Sequence, residues 1–167
     1  SVTSYQNHKI DIADVFNNTW VSSASHWDEI QKLLANDGAM QDYFGCSVSI
    51  DGDTALIGAS GELNELLNGA AYVFTSSNNI WTQQAKLTAS EPSQGSCFGW
   101  SVSISGDTAL IGAPWIHSAY VFTRTDTYWT QQAILHPSDN TFYFGYSVAL
   151  DGDTALIGSV ASSGQAY

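Results

Sequence analysis

The chain has 167 residues, a length that suits one domain with a real core. Four Lys plus Arg against 16 Asp plus Glu give a net charge of −12 and a pI near 4.2. Such a surface repels phosphate backbones, which argues against nucleic acid and anionic membrane as partners. No run approaches the ~18 consecutive apolar residues of a membrane helix, so no membrane insertion is expected.

Charged residues make up only 12%, and hydrophilicity rests on Ser, Thr, Asn, Gln and Gly. That composition is typical of secreted β-proteins, so an extracellular or cell-surface location is expected. The chain opens without Met or a leader pattern, which suggests a processed or partial product.

Residues 1–16 (SVTSYQNHKIDIADVF) fit no repeat and read as an N-terminal arm, a linker, or the tail of an upstream element. Residues 17–43 carry a faint pattern that returns 54 residues later: Trp20 aligns with Phe74, Trp27 with Trp81, Lys32-Leu33 with Lys86-Leu87, and Phe44 with Phe98. The alignment predicts the third and fourth strands of a degenerate repeat over 17–34. A helix over 28–36 (DEIQKLLAN) competes, since Ile30, Leu33 and Leu34 have helical spacing. The strand is preferred because Trp27 precedes Phe44 by the same 17 residues that separate Trp81 from Phe98.

From Phe44 the repeat is plain: FGCSVSIDGDTALIGASGELNELLNGAAYVFTSSNNIWTQQAKL (44–87), then FGWSVSISGDTALIGAPWIHSAYVFTRTDTYWTQQAIL (98–135), then FGYSVALDGDTALIGSVASSGQAY (144–167). Each copy parses into short strands. The first (46–50, 100–104, 146–150) alternates bulky and small residues with period two, Ser47 and Ser49 facing away from the bulky side and allowing a neighbouring layer close. Asp51-Gly52, Ser105-Gly106 and Asp151-Gly152 read as hairpin turns of type I′. The second strand (54–58, 108–112, 154–158) is apolar at consecutive positions, hence buried on both faces. The third (70–74, 118–122) is rich in β-formers. The fourth (81–87, 129–135) has the polar residues of an exposed edge. Two buried strands followed by a wetter outer one describe a propeller blade from axis to rim.

The expected fold is therefore all-β, a β-propeller of four-stranded antiparallel blades. About three blade equivalents are present: a degenerate half-blade at 17–43, blades at 44–97 and 98–143, and an incomplete blade at 144–167. Propellers close with about four to eight blades, which leaves three alternatives. The chain is part of a longer propeller, or copies assemble into a ring, or the outer strands of one subunit complete the unfinished blade of the next.

The pattern FGxSVxxxGDTALIGAP, then AYVF, then WTQQAKL, resembles the FG-GAP repeat family, the blades of integrin-α-type propellers and of secreted bacterial and algal proteins. The resemblance covers 44–167 well and 17–43 poorly. It implies an extracellular propeller, usually of about seven blades, used for adhesion or ligand binding rather than catalysis. In that family calcium is often held in a long Asp-rich loop between the first and second strands. Here that loop is only Asp51-Gly52-Asp53 and its two equivalents, too short to wrap a cation needing six to eight oxygens. No cofactor is expected.

Cys46 and Cys97 stand at the start of first strands in adjacent blades. A disulfide between them is one expectation; two small buried hydrophobes is the other. His8, His26, His117 and His136 do not recur with the repeat, and the serines of FGxSV lack a nucleophile elbow, so no catalytic residue is expected. Asn17-Asn18-Thr19 is a glycosylation sequon, which would make the chain a glycoprotein in a eukaryotic secretory pathway. The loops between second and third strands vary most, and binding residues collect on such loops. Glu62, Glu65, Trp115 and His117 are the candidate contacts there, an exposed Trp beside His suiting a sugar ring or a protein anchor. The functional expectation is adhesion, protein–protein interaction or extracellular structural assembly, through a protein partner or self-assembly. A glycan-binding lectin and the accessory domain of a secreted enzyme are the alternatives.

Overall fold

The computed structural model describes residues 1–10, 24–61, 68–91, 93, 95–139, 141–160 and 165–166. The chain divides into two units, Ser1–Leu34 and Ala35–Tyr167. The first holds strands β1 (Val2–Ile10) and β2 (Ala24–Leu33). The second holds β3 (Phe44–Asp51), β4 (Thr54–Ala59), β5 (Ala70–Ser77) and β6 (Ile80–Leu87). There follow β7 (Ser101–Ser105), β8 (Thr108–Ala113), β9 (Ser118–Thr125) and β10 (Tyr128–Leu135), then β11 (Ser147–Asp151), β12 (Thr154–Ser159) and β13 (Gln165–Ala166). In sequence order these make two four-stranded antiparallel sheets, β3–β6 and β7–β10, and a three-stranded one, β11–β13. Each is an open meander of the kind that forms a propeller blade.

The first unit corrects two expectations. Residues 2–10 are no arm, because β1 pairs antiparallel with β2 along its whole length. The third-strand place of the degenerate blade is therefore held by β1. Trp20, aligned above with Phe74, lies outside the described residues, as do all of 11–23. The registers show the equivalence: Val2 faces Leu33 as Ala71 faces Leu87, and both pairs lead into a bulge. The extra residue of that bulge is Ile30 in β2, Gln84 in β6 and Gln132 in β10. Over 28–33 the chain is strand rather than helix.

The turn prediction needs a smaller correction. Asp51 pairs with Thr54, so the two-residue loop is Gly52-Asp53. Only its glycine has positive φ, 54° at Gly52, 55° at Gly106 and 53° at Gly152. Glycine at the first central position, followed by a residue of ordinary φ, is the arrangement of a type II′ turn rather than I′.

Within the second unit, β7–β10 and β11–β13 each turn one face, the leading one, toward the sheet before it, and β3–β6 and β7–β10 each turn the opposite, trailing face toward the sheet after it. Leu56, Ala71, Val73 and Leu87 on the trailing face of β3–β6 pack against Phe98, Val102, Ile104, Ile111, Tyr120 and Phe122 on the leading face of β7–β10. Leu110, Ala119, Val121 and Leu135 repeat the contact onto Phe144, Val148, Leu150 and Ile157 of the third sheet. The Phe of each of the first two FG motifs lies edge-on to the aromatics of AYVF: Phe44 is 5.4 Å from Tyr72 and Phe98 is 5.1 Å from Tyr120, centroid to centroid. Both distances fall in the range where edge-to-face pairs add stability beyond burial.

The small residues of the first strands bind the sheets together. Val102 N–H and Ile104 N–H donate to Ser47 Oγ and Ser49 Oγ at 3.0 and 3.1 Å, and Gly106 N–H donates to Asp51 Oδ2 at 2.6 Å. One repeat further on, Leu150 N–H and Gly152 N–H donate to Ser103 Oγ and Ser105 Oγ at 2.9 and 3.1 Å. These side chains stand in for the missing neighbour strand, meeting backbone donors that no sheet ladder reaches. Ser49→Ala should leave the Ile104 N–H without its acceptor at a closed interface. The expected cost is about 1–2 kcal/mol, read as a lower urea midpoint with unchanged slope. A loss within error of zero would mean that water replaces the hydroxyl.

At the rim the two glutamines of WTQQ have separate tasks. Gln83 Oε1 and Gln131 Oε1 accept from Asn36 N–H and Ser90 N–H, each at 2.9 Å, clamping the segment that leaves the preceding fourth strand. The bulge residue Gln84 accepts from Trp129 Nε1 at 3.0 Å, joining outer strands of adjacent sheets.

Candidate binding surface at the aromatic end

The FG motif and its two flanking residues build one end of the sheets of the second unit. The residue before FG is left-handed in each copy, with φ of 51° at Tyr43, 52° at Cys97 and 57° at Tyr143. Its carbonyl accepts from the residue after FG: Cys46 N–H, Trp100 N–H and Tyr146 N–H reach Tyr43, Cys97 and Tyr143 at 3.0–3.1 Å. This tight turn sets Cys46, Trp100 and Tyr146 at matching places in successive sheets. Trp100 and Tyr146 thereby come into ring contact, 5.4 Å apart.

The loop between β8 and β9 adds to them. Pro114 opens a single 3₁₀ turn, Pro114–Ile116, ended by His117 in the left-handed region with its N–H on Pro114 O. Proline suits that first position because its fixed φ is already helical and its absent N–H would have no partner there. The turn lays the Trp115 ring 4.8 Å from Trp100 and 5.6 Å from Tyr143. His117 lies edge-on to Phe142 at 5.2 Å. Tyr143 N–H donates to His117 Nδ1 at 2.9 Å, and the same ring nitrogen lies 3.1 Å from Pro114 O. Phe142, Tyr143 and Tyr146 are exposed, while Trp100, Trp115 and His117 are half-buried. Beside them Ile116, His117, His136, Pro137, Asp139, Thr141 and Phe142 line an open cavity of about 500 Å³.

The cavity does not hold a hydrolytic dyad. Ser118 Oγ lies 3.1 Å from His136 Nδ1, but it is buried and donates its proton to Ile116 O at 2.9 Å. The imidazole must then donate to the hydroxyl, the reverse of what a general base does for a nucleophile.

Of the residues predicted as contacts, Trp115 and His117 meet at this end, whereas Glu62 and Glu65 lie outside the described residues, as does Asn17. Trp100, Phe142, Tyr143 and Tyr146 were missed. Three of them flank FG directly, and the signal was there: large aromatics at variable positions beside an invariant pair. Of the two readings of Cys46 and Cys97, the bridge is not formed, since both are free thiols, and the buried-hydrophobe reading fits Cys97 but not exposed Cys46. Cys97 takes a left-handed backbone and buries its side chain, while exposed Cys46 turns its Sγ to Gly99 O at 3.3 Å. Burial pushes the Cys97 thiol above its ordinary pKa, which keeps it protonated and unreactive.

The opposite end carries the Asp-Gly hairpins. The Asp51 carboxylate is committed to Gly106 N–H, and Asp107 pairs with Arg124 at 2.8 Å. Arg124 also reaches Thr54 Oγ1 of the preceding sheet and lies over the Trp129 ring. Among the described residues no group of three His, Cys, Asp or Glu is placed to hold a metal ion.

A polar cluster lies further out on β3–β6. Lys86 Nζ donates to Asp37 Oδ2 at 2.6 Å and Tyr72 OH donates to Asp37 Oδ1 at 3.0 Å. The Lys86 bond holds the Asp37 carboxyl below its usual range, and the carboxylate in turn raises Lys86. Both groups are well exposed, so solvent screening leaves the pair a small contribution to stability.

Among the described residues no helix is long and apolar enough to cross a membrane. Comparison with curated proteins found no match to the chain. A family model described as FG-GAP repeat matches residues 27–74, 81–122 and 129–167. Each matched segment begins on the fourth-strand tryptophan, Trp27, Trp81 or Trp129, and runs on through the next FG into the third strand or its start. That framing gathers the Trp of one repeat with the FG of the next. The matched segments cover most of the sequence, and the chain belongs to the FG-GAP repeat family.

Proposed function

We propose that this chain is a non-catalytic extracellular binding module that engages a protein partner in adhesion through its aromatic end. The observation that carries this is the run of touching rings, Trp100, Trp115, Tyr143 and Tyr146, with exposed Phe142 beside them. Single exposed apolar residues are ordinary, but contiguous ones rimmed by polar groups mark an interaction surface. Trp and Tyr are the residues that most often dominate interface energetics. A rigid scaffold bearing such residues on loops is how non-catalytic modules bind.

The cavity between His117, Asp139 and Phe142 favours a second reading, a glycan. A pyranose face stacks on an aromatic ring while its hydroxyls bond to a carboxylate and imidazole. One experiment separates the two. Surfaces coated with the protein are tested for capture of cells pretreated with protease or with periodate, which cleaves sugar diols. The expected result is capture lost after protease and retained after periodate, and at least about tenfold weaker for Trp115→Ala. Capture lost only after periodate would move the conclusion to a lectin. Capture unchanged by Trp115→Ala and Tyr146→Ala together would remove the aromatic end from either role.

A further inference from the structure

We propose that His117 is the positioning residue of the aromatic end: its imidazole ties Tyr143, and through it the Trp115 ring, and lets go when acid protonates it. The proposal rests on the reading of that end as the binding surface and adds its regulation.

The residue type is the first sign. His117 directly precedes the third strand of its copy, and the other two copies have glycine at that place, Gly69 and Gly164. Gly69 has a positive φ of 75° and His117 one of 53°. Glycine takes such a backbone without steric cost, whereas a residue with a Cβ is disfavoured there. Backbone geometry alone favours glycine, so the histidine points to a task for its ring.

That task is to join two sheets. His117 Nδ1 accepts from Tyr143 N–H at 2.9 Å, 26 residues on, and Tyr143 is itself left-handed at φ 57°. The ring stands edge-on to Phe142 at 5.2 Å and to Tyr143 at 6.0 Å. Tyr143 in turn packs edge-on against Trp115, 5.6 Å away. One hydrogen bond thus ties the loop after β8 to the turn before β11, and the rings of both meet across it. At the junction between the first two sheets of the second unit, backbone makes the tie instead: Asn68 O accepts from Phe98 N–H at 3.2 Å and from Ser96 Oγ at 2.8 Å. A peptide carbonyl does not titrate near neutral pH. An imidazole does.

His117 Nδ1 has a second neighbour, Pro114 O at 3.1 Å. Accepting from Tyr143 needs a bare nitrogen, and donating to Pro114 needs a protonated one. Imidazolium carries protons on both nitrogens, so its Nδ1 can serve only Pro114 O, which already accepts from His117 N–H. Tyr143 N–H then faces another N–H, and the tie is lost. The titratable groups around the ring are His136 and Asp139 in the shared cavity and the Tyr143 phenol. The Asp139 carboxylate favours the charged ring, and His136 opposes it when charged itself. Both move the midpoint, and neither gives Tyr143 N–H a new acceptor.

The test reads solvent exchange of the Tyr143 amide by NMR in the full chain, corrected for the intrinsic rate at each pH. At neutral pH the wild-type amide should be protected. His117→Gly, which suits the backbone, should lower that protection about fivefold. His117→Asn tolerates a left-handed backbone and sets an amide oxygen where Nδ1 stands, so it should keep the protection. Between about pH 8 and pH 5, wild-type protection should fall to the His117→Gly level while that of His117→Asn holds. Cell capture on protein-coated surfaces should follow the same order, weak for His117→Gly throughout and lost in acid by the wild type but not by His117→Asn. Circular dichroism checks that both variants fold. Equal protection in wild type and His117→Gly overturns the proposal. So does an acid loss that persists in His117→Asn, or capture unchanged by His117→Gly. Capture by none of the proteins, with Tyr143 protection behaving as expected, would support the His117 tie and overturn only the binding reading.

Discussion

Gly112→Ala should destabilise the protein by about 3 kcal/mol or more, near the upper end for overpacking. For a chain of this size that corresponds to a loss of about 6–12 °C in Tm. The backbone of Gly112 is an ordinary strand, so strain in φ plays no part. The obstacle is a neighbour that cannot turn away. A Cβ would stand 2.0 Å from Gly145 O and 3.0 Å from Gly145 C, both main-chain atoms of the following repeat. Relief requires the third sheet to withdraw by more than an ångström. That loses the 2.8 Å bond from Ser101 Oγ to Gly145 O and loosens Leu110 and Ala119 against Phe144 and Ile157. Gly158→Ala is the matched control. Its Cβ would meet the Ser147 hydroxyl at 2.2 Å, and a hydroxyl rotates. Thermal unfolding of the two variants should therefore differ widely. Equal losses would mean that the contact between sheets is softer than the backbone spacing implies.

Much of the fold was legible because strand periodicity and turn glycines are local signals. The strands over 44–59 and 98–113 lie where alternation and the Gly-Asp turns place them. What escaped was non-local. β1 is too polar (VTSYQNHKI) to announce itself as a strand. The constant offset that ties Trp27 to Trp81 did not find Tyr5, which faces Glu29 after the bulge as Phe74 faces Gln83, because many more residues separate β1 from β2 than β5 from β6. The glutamines of WTQQ read as edge polarity. Their actual partners, Asn36, Ser90 and Trp129, are more than 40 residues away in sequence. The aromatic end was legible at Trp115 and His117 as a loop oddity, but the Trp100–Tyr146 contact follows only from stacking one repeat on the next.

The same dependence on stacking sets the second large effect, Phe98→Ala, expected to cost about 3–5 kcal/mol. Phe98 is fully buried, its ring edge-on to Tyr120 and 6.1 Å from Phe122 within its own sheet. It is also packed in the cluster that includes Leu56, Val73 and Leu87 of the preceding sheet. Its backbone is held there too, Phe98 N–H donating to Asn68 O at 3.2 Å. Removing the ring therefore opens a cavity between two sheets, where neither can collapse without losing the serine ladder beside it. Phe44→Ala deletes the chemically equivalent ring, 5.4 Å from Tyr72, but at a half-buried position. Denaturant unfolding should show that substitution costing about half as much, because less apolar surface is lost from burial. The difference between the two variants measures what the neighbouring sheet contributes to the FG motif. Equal costs would place the stabilising work of that phenylalanine within its own sheet, on the Tyr and Phe of AYVF, and leave cohesion between repeats to the serines and glycines of the first two strands.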